Sequence, residues 1–255
     1  MTGQSGAHLS SISEIEVRER IAAGAKIAVL SGAGISAASG VPTFRGDVDS
    51  LWSRYRPEQL ATPAAFAADT ELVWRWYDWR RGKIAGSGPN AAHRALAAIE
   101  DKAPVTLITQ NVDGYHQQAG SSRVLEYHGS IWTLRCTGCG LEAVDERVPI
   151  PIPPRCDACS GLLRPGVVWF GETIDRNVMV GSERAAAASD IFLVIGTAGV
   201  VYPAAGLVAV ARAAGALVVE LNLEPSAISH LVDLFVPGCA SETVPRLLQD
   251  TGDDL

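Results

Sequence analysis

Residues 26–37 read Lys-Ile-Ala-Val-Leu-Ser-Gly-Ala-Gly-Ile-Ser-Ala, a short apolar run that enters a Gly32-x-Gly34-x-x-Ala37 turn. A run of this kind, bounded by a glycine turn, is a buried strand feeding a helix. Two glycines there let backbone N–H groups come close to a pyrophosphate at the start of the next helix. A tight turn with no ligand would look the same, so the loop carries weight only in context. An ordinary nicotinamide dehydrogenase continues into a second strand, about 30 residues on, that ends in an acidic residue for the ribose. Here Gly40-Val41-Pro42-Thr43-Phe44-Arg45-Gly46 follows instead, and Pro42 stops any long helix. Hydride transfer is the weaker reading.

Further apolar runs surround this one: Val105–Thr109, Val124–Tyr127, Val167–Phe170, Ile191–Ile195 and Leu217–Leu221, joined with Lys26–Leu30 by Ala-rich helical patterns. Their alternation predicts an α/β fold, a Rossmann-like parallel sheet with helices on both faces. Two segments break the rhythm. Asp47 to Gly86 is rich in Trp and Arg, with Pro57 and Pro63 as breakers, and Ile131 to Pro165 holds the Pro-rich run Val148–Pro154. We expect segments 12–46, 87–130 and 166–250 to form the nucleotide-binding domain. Segments 47–86 and 131–165 then form a small lobe made of a helical insertion and a cysteine-bearing module.

That module carries Cys136-x-x-Cys139 and Cys156-x-x-Cys159, with sixteen residues between the pairs. The spacing is that of a zinc ribbon, in which four thiolates close a tetrahedral shell around one structural Zn²⁺. A redox C-x-x-C is the competitor, and the matched second pair argues against it. Cys239 is left as a small hydrophobe.

Over 255 residues, 47% are hydrophobic and 19% charged, as in an ordinary packed protein. The formal charge of −7 counts against a general nucleic-acid binder, which must neutralise phosphates with clustered cations. The first twenty residues lack the apolar core of a secretory signal, and the stretch Ala198–Ala211 is broken by Pro203. The expectation is a cytoplasmic chain without nucleic-acid or membrane partners, monomeric by default.

The run GAGISAASGVPTFRG, Gly32 to Gly46, resembles the signature of the sirtuin family. TQNVDGYHQQAG at Thr109–Gly120, YHGS at Tyr127–Ser130, VVWFGE at Val167–Glu172, GTA at Gly196–Ala198 and LNLEP at Leu221–Pro225 follow in the family's order. The resemblance implies an enzyme that consumes NAD to remove acyl groups from lysines of protein substrates, releasing nicotinamide and O-acyl-ADP-ribose. Carried over by resemblance, Gly32, Ala33, Gly34 and Ala37 belong to the phosphate loop, and Phe44 and Arg45 to a loop that closes over the nicotinamide ribose. Gln110, Asn111 and Asp113 would line the nicotinamide pocket. Gly196, Thr197, Asn222 and Ala240 would complete the cofactor site, with Asn222 at the adenosine ribose. His128 would be the general base. Its residue type suits that task, because an imidazole with an ordinary pKa near 6.5 can take a proton from a ribose hydroxyl at neutral pH. One departure is Ala198, where the family carries a serine.

In sirtuins of the desuccinylase type a Tyr-x-x-Arg pair reads the carboxylate of a dicarboxylic acyl group, and Tyr77 and Arg80 match it. A guanidinium suits that role through charge-assisted pairing. Trp169, Phe170 and Gly171 would line the acyl-lysine tunnel and the peptide groove. The bland reading is a solvated basic face over a tryptophan stripe. Two other functions remain in view: mono-ADP-ribosyl transfer from the same NAD site, and a non-enzymatic zinc-ribbon binding module.

Overall fold

The computed structural model describes residues 12–41, 55 and 57–249. In chain order its elements are α1 (Glu14–Ala22), β1 (Ile27–Ser31), α2 (Pro57–Leu60), α3 (Pro63–Ala68), α4 (Thr70–Ala85), α5 (Ala91–Ala98), β2 (Val105–Thr109), α6 (Tyr115–Gln118), β3 (Val124–Glu126), β4 (Gly129–Cys136), β5 (Glu142–Val144), β6 (Leu163–Val167), α7 (Arg176–Ala188), β7 (Ile191–Ile195), α8 (Leu207–Ala213), β8 (Leu217–Asn222), β9 (Leu234–Pro237) and α9 (Ala240–Leu248).

Six strands form one parallel sheet in the order β3-β2-β1-β7-β8-β9. The alternation along each strand explains the layers. Ile27 and Val29 of β1, with Ile191, Leu193 and Ile195 of β7, face one side and pack on Val17, Leu96, Val244 and Leu247 of α1, α5 and α9. Ala28, Leu30, Phe192 and Val194 face the other and pack on Ala186, Leu207, Val208 and Ala211 of α7 and α8. A strand buried on both faces must be apolar throughout, which is why these runs carry no polar phase.

One strand expectation changes and three strands are added. The Val167–Phe170 run is not a strand of the parallel sheet; the strand there is Leu163–Val167, paired antiparallel with β4 in a second, three-stranded sheet of order β5-β4-β6. Pro165 lies in β6, which is tolerated because β6 is an edge of that sheet. Beyond Val167 the chain turns, with Glu172 N donating to Trp169 O. The short edge strand β9, LFVP, is an addition, and so are β4 and β5.

Pro57 and Pro63 start helices rather than merely breaking them. Pro63 is in the first turn of α3, with Thr62 as a side-chain cap to Ala65 N. The sixteen-residue α4 follows at once, capped by Asp69.

The two inserted segments touch. Trp74 Nε1 donates to Leu163 O at 2.9 Å. Arg81, with no solvent exposure, donates to the carbonyls of Ile131 at 3.0 Å, Arg147 at 3.1 Å and Asp145, pairs with Asp145 Oδ1 at 3.0 Å, and stacks over Trp132. Replacing Arg81 by Met strands these buried acceptors. The expected loss is about 3–5 kcal/mol of unfolding free energy, read as a lower urea midpoint; an unchanged midpoint would show that the tie is dispensable.

Candidate active site

The strand order reverses between β1 and β7, and ligands of open parallel sheets bind where it does. Two loops meet there backbone to backbone. Gly34 N donates to Gly196 O at 2.8 Å and Gly32 N to Ile195 O at 2.9 Å. A Cβ on Gly34 would lie 2.7 Å from Gly196 Cα, and one on Gly196, whose φ is +59°, would lie 2.4 Å from Ile35 N. Both positions therefore require glycine. The segment after Gly32 winds as a 3-10 helix, Ala33–Ser39, closed by Gly40 in the left-handed region. Ala33 is half-buried and Ala37 is exposed.

Against this loop lies the segment after β2. Gln110 N donates to Ser31 O at 2.9 Å, and Gln110 Nε2 to Thr197 Oγ1 at 3.1 Å. Asn111 Nδ2 reaches Gly32 O at 3.2 Å and Ser36 Oγ at 3.1 Å. Ser36 Oγ in turn donates to Asp113 Oδ2 at 2.8 Å, while Tyr115 N donates to Asp113 Oδ1 at 3.0 Å. Burial pushes the Asp113 carboxyl up, and those two bonds and the Arg80 charge work against it. Asn222, ending β8, donates from Nδ2 to Thr197 O at 2.8 Å, and buried Ala240 begins α9. Phe44 and Arg45 lie outside the described residues.

His128 sits between the two sheets, two residues after β3 and one before β4. Its Nδ1 is 3.0 Å from Gln110 O. A carbonyl only accepts, so Nδ1 carries the proton and Nε2 keeps its lone pair. Burial lowers the imidazole pKa, with the Gln110 bond opposing, and the ring is neutral at pH 7. Gly129, at φ +73°, completes the bend, for a Cβ there would lie 2.2 Å from Gly166 O.

Tyr77 and Arg80 share a face of α4. Tyr77 is buried and accepts from Trp169 Nε1 at 2.9 Å. The Arg80 guanidinium lies 5.0 Å from the Trp76 ring centroid, and its charge is felt at both Tyr77 and Asp113. Trp169 is buried; Phe170 is 46% exposed and its N–H donates to Ala61 O, and Gly171 follows at φ +86°. Tyr77, Arg80 and Asp113 thus belong to one neighbourhood.

The four sulfurs of Cys136, Cys139, Cys156 and Cys159 all lie within 4.8 Å of one another, with Cys136 to Cys159 at 3.4 Å and Cys139 to Cys156 at 3.8 Å. A tetrahedron with Zn–S of about 2.3 Å has edges near 3.8 Å, so this donor set fits one structural Zn²⁺. Gly161 is needed beside it, since a Cβ would stand 3.1 Å from Cys136 Sγ.

Sequence reasoning passes over a buried polar group behind Asp113. His93 Nε2 is 3.4 Å from Ser36 Oγ, and its Nδ1 accepts from Asn90 N in a capping box. His116 Nε2 is 2.9 Å from Ser31 Oγ, and the two imidazoles lie 5.0 Å apart. The Asn90-x-x-His93 spacing after Pro89 is the signal that could have found the first. Arg81, Arg164 and Glu172 are likewise unannounced.

A model of the Sir2 family matches residues 32–203. The chain is 50% identical over 237 residues to NAD-dependent protein deacylase 2 of Pyrobaculum aerophilum, covering 92% of this chain and 95% of that one. It resembles the crystal structure of a Sir2 homologue–NAD complex with a TM-score of 0.88 and 43% identity, covering 95% of each chain. It also resembles a Sir2 homologue mutant in complex with 2′-O-acetyl ADP-ribose, with a TM-score of 0.87 and 44% identity, covering 93% of this chain and 95% of that one.

Two expected outcomes follow from this geometry. Thiol titration should release one Zn²⁺ per chain, counted with a chromogenic chelator, and Cys139→Ala should abolish it; a chain whose five thiols all react with no metal released would overturn the assignment. Burial pushes His93 down to about 4 and His116 to about 3, against about 6.5 when unfolded. Between those limits the unfolded chain binds more protons, so stability is full above pH ~6.5 and falls on acidification, by up to about 1.4 kcal/mol per pH unit for each histidine. Urea midpoints between pH 4 and 7 test this, and His93→Gln should flatten the slope.

Proposed function

The chain belongs to the Sir2 family, and from that premise we propose that it removes acyl groups from protein lysines at the expense of NAD, preferring succinyl and malonyl and also removing acetyl. The observation that carries this reading is His128, a neutral imidazole whose Nδ1 is held by Gln110 O, beside Asn111 and Asp113 at the reversal of the sheet.

Bound NAD supplies a cationic leaving group and an electrophilic ribose carbon. In this reading Gly32, Ala33 and Gly34 form the loop that borders its phosphates, the two glycines bonded back to Ile195 O and Gly196 O, with Ala37 at the rim of the loop. Gly196 and Thr197 close the opposite wall, and Asn222 and Ala240 border the adenosine end. Phe44 and Arg45 are assigned to the nicotinamide-ribose side. Gln110, Asn111 and Asp113 orient the nicotinamide. His128 Nε2 takes the proton of a ribose hydroxyl, and Gln110 O stabilises the imidazolium that results. Zn²⁺ on the four cysteines is closed to substrate and acts through folding alone.

Trp169, Phe170 and Gly171 line the acyl-lysine path, where the exposed Phe170 ring is available to a peptide. Tyr77 and Arg80 read the acyl carboxylate. Their neighbourhood with Asp113 supports that reading, because a second carboxylate arriving near Asp113 needs the Arg80 charge to offset repulsion. We also read 12–46, 87–130 and 166–250 as the NAD-binding body and 47–86 with 131–165 as the lobe beside it. The bonds of Arg81 and Trp74 across the two insertions support this.

Matched peptides bearing succinyl-lysine or acetyl-lysine, incubated with NAD and followed by mass spectrometry, test the whole reading. The succinyl peptide should be processed faster, His128→Ala should fall by about 10²-fold or more, and Arg80→Met should lower the succinyl-to-acetyl ratio at least about tenfold. Acetyl preference untouched by Arg80→Met would overturn the acyl assignment. No nicotinamide from either peptide would overturn the activity.

A further inference from the structure

A phenol O–H turns between two in-plane orientations, and a tyrosine that reads a carboxylate must present its proton in only one of them. Around Tyr77 that choice is made by Trp169 and by two residues behind it, Arg164 and Glu172, to which the proposed function gives no part. Trp169 Nε1 donates to Tyr77 Oη at 2.9 Å and so occupies one lone pair. Trp169 is itself held by three neighbours. The Arg164 guanidinium lies 3.5 Å from its ring centroid, and Phe66 packs at 5.2 Å. Its backbone N–H donates to Glu172 Oε2 at 2.9 Å. Glu172 and Arg164 are joined by two bonds, Nη1 to Oε1 at 2.5 Å and Nη2 to Oε2 at 2.8 Å, and Arg164 Nη2 also reaches Val167 O at 3.0 Å.

We propose that Arg164 and Glu172 are positioning residues for acyl selectivity: they fix the Trp169 indole so that its N–H turns the Tyr77 hydroxyl proton toward the acyl carboxylate. Burial pushes the Tyr77 hydroxyl up to about 12, so the proton is present throughout the neutral range. An acetyl group has no carboxylate to receive it, and the clamp therefore acts on acidic acyl groups alone. This inference rests on the assignment of Tyr77 and Arg80 as the acyl readers.

The test uses the full chain with Arg164→Lys and Glu172→Gln, each alone and combined with Tyr77→Phe, on succinyl and acetyl peptides. Lysine keeps the charge but loses the planar, two-pronged contact. Each single clamp variant should raise KM for the succinyl peptide about tenfold with kcat little changed, while acetyl kcat/KM stays within about twofold. Adding Tyr77→Phe should cause no further loss, since the clamp acts through that hydroxyl. Equal losses on both peptides would mean a merely structural ion pair and would overturn the proposal, as would additive losses with Tyr77→Phe. If Tyr77→Phe alone leaves the succinyl-to-acetyl ratio unchanged, the acyl reading fails and the clamp falls with it.

Discussion

Two backbones meeting with no side chain between them is the constraint on which the rest of this molecule depends. Gly34 and Gly196 approach so closely that an added Cβ on either would fall 2.4–2.8 Å from main-chain atoms of the other loop. The approach is possible because β1 and β7 are adjacent and parallel, so both loops leave the sheet at the same edge. The polar segment Gln110–Asp113 then packs against one loop through Asn111 and against the other through Gln110. Substitution at either glycine would disturb all three walls at once.

The parallel sheet is legible in the sequence because a strand covered on both faces must be apolar at every position. Val167–Phe170 has the same apolar appearance for a different reason. Val167 and Trp169 are buried in the cluster formed with α4 and β4, while Phe170 is exposed, and composition alone cannot separate those environments. The small antiparallel sheet is hidden because β5 is exposed at all three positions and has no apolar phase to detect. The cysteine spacing is legible since a metal dictates it locally. Long-range partners are not: Arg81 reads as one cation in a basic helix, and only the fold brings Ile131, Asp145 and Arg147 to it. His93 and His116 escape for the same reason, because their neutrality is a property of burial.

Two arginines with little or no exposure share a common design in a chain of net negative charge. Arg81 pairs with Asp145 and Arg164 with Glu172, and each guanidinium also satisfies backbone carbonyls and covers a tryptophan ring. A buried ion pair gives little net stability against an apolar replacement, yet it tolerates few alternative geometries. Arg81 lies beside Arg80 in α4, and Arg164 covers the Trp169 ring that donates to Tyr77.

His128 occupies the handover from one sheet to the other. Tyr127 N still donates to Thr109 O on the parallel sheet, whereas His128 O already accepts from Val168 N beyond the end of β6. His128 is thus registered by both sheets at successive residues. For chimaeras that exchange cysteine modules among relatives, the seams belong after Val168 and before Tyr127, so that the donor contributes the handover intact. A seam placed within the Tyr127–Gly129 bend would join two sheets correctly and still leave the imidazole aimed by neither.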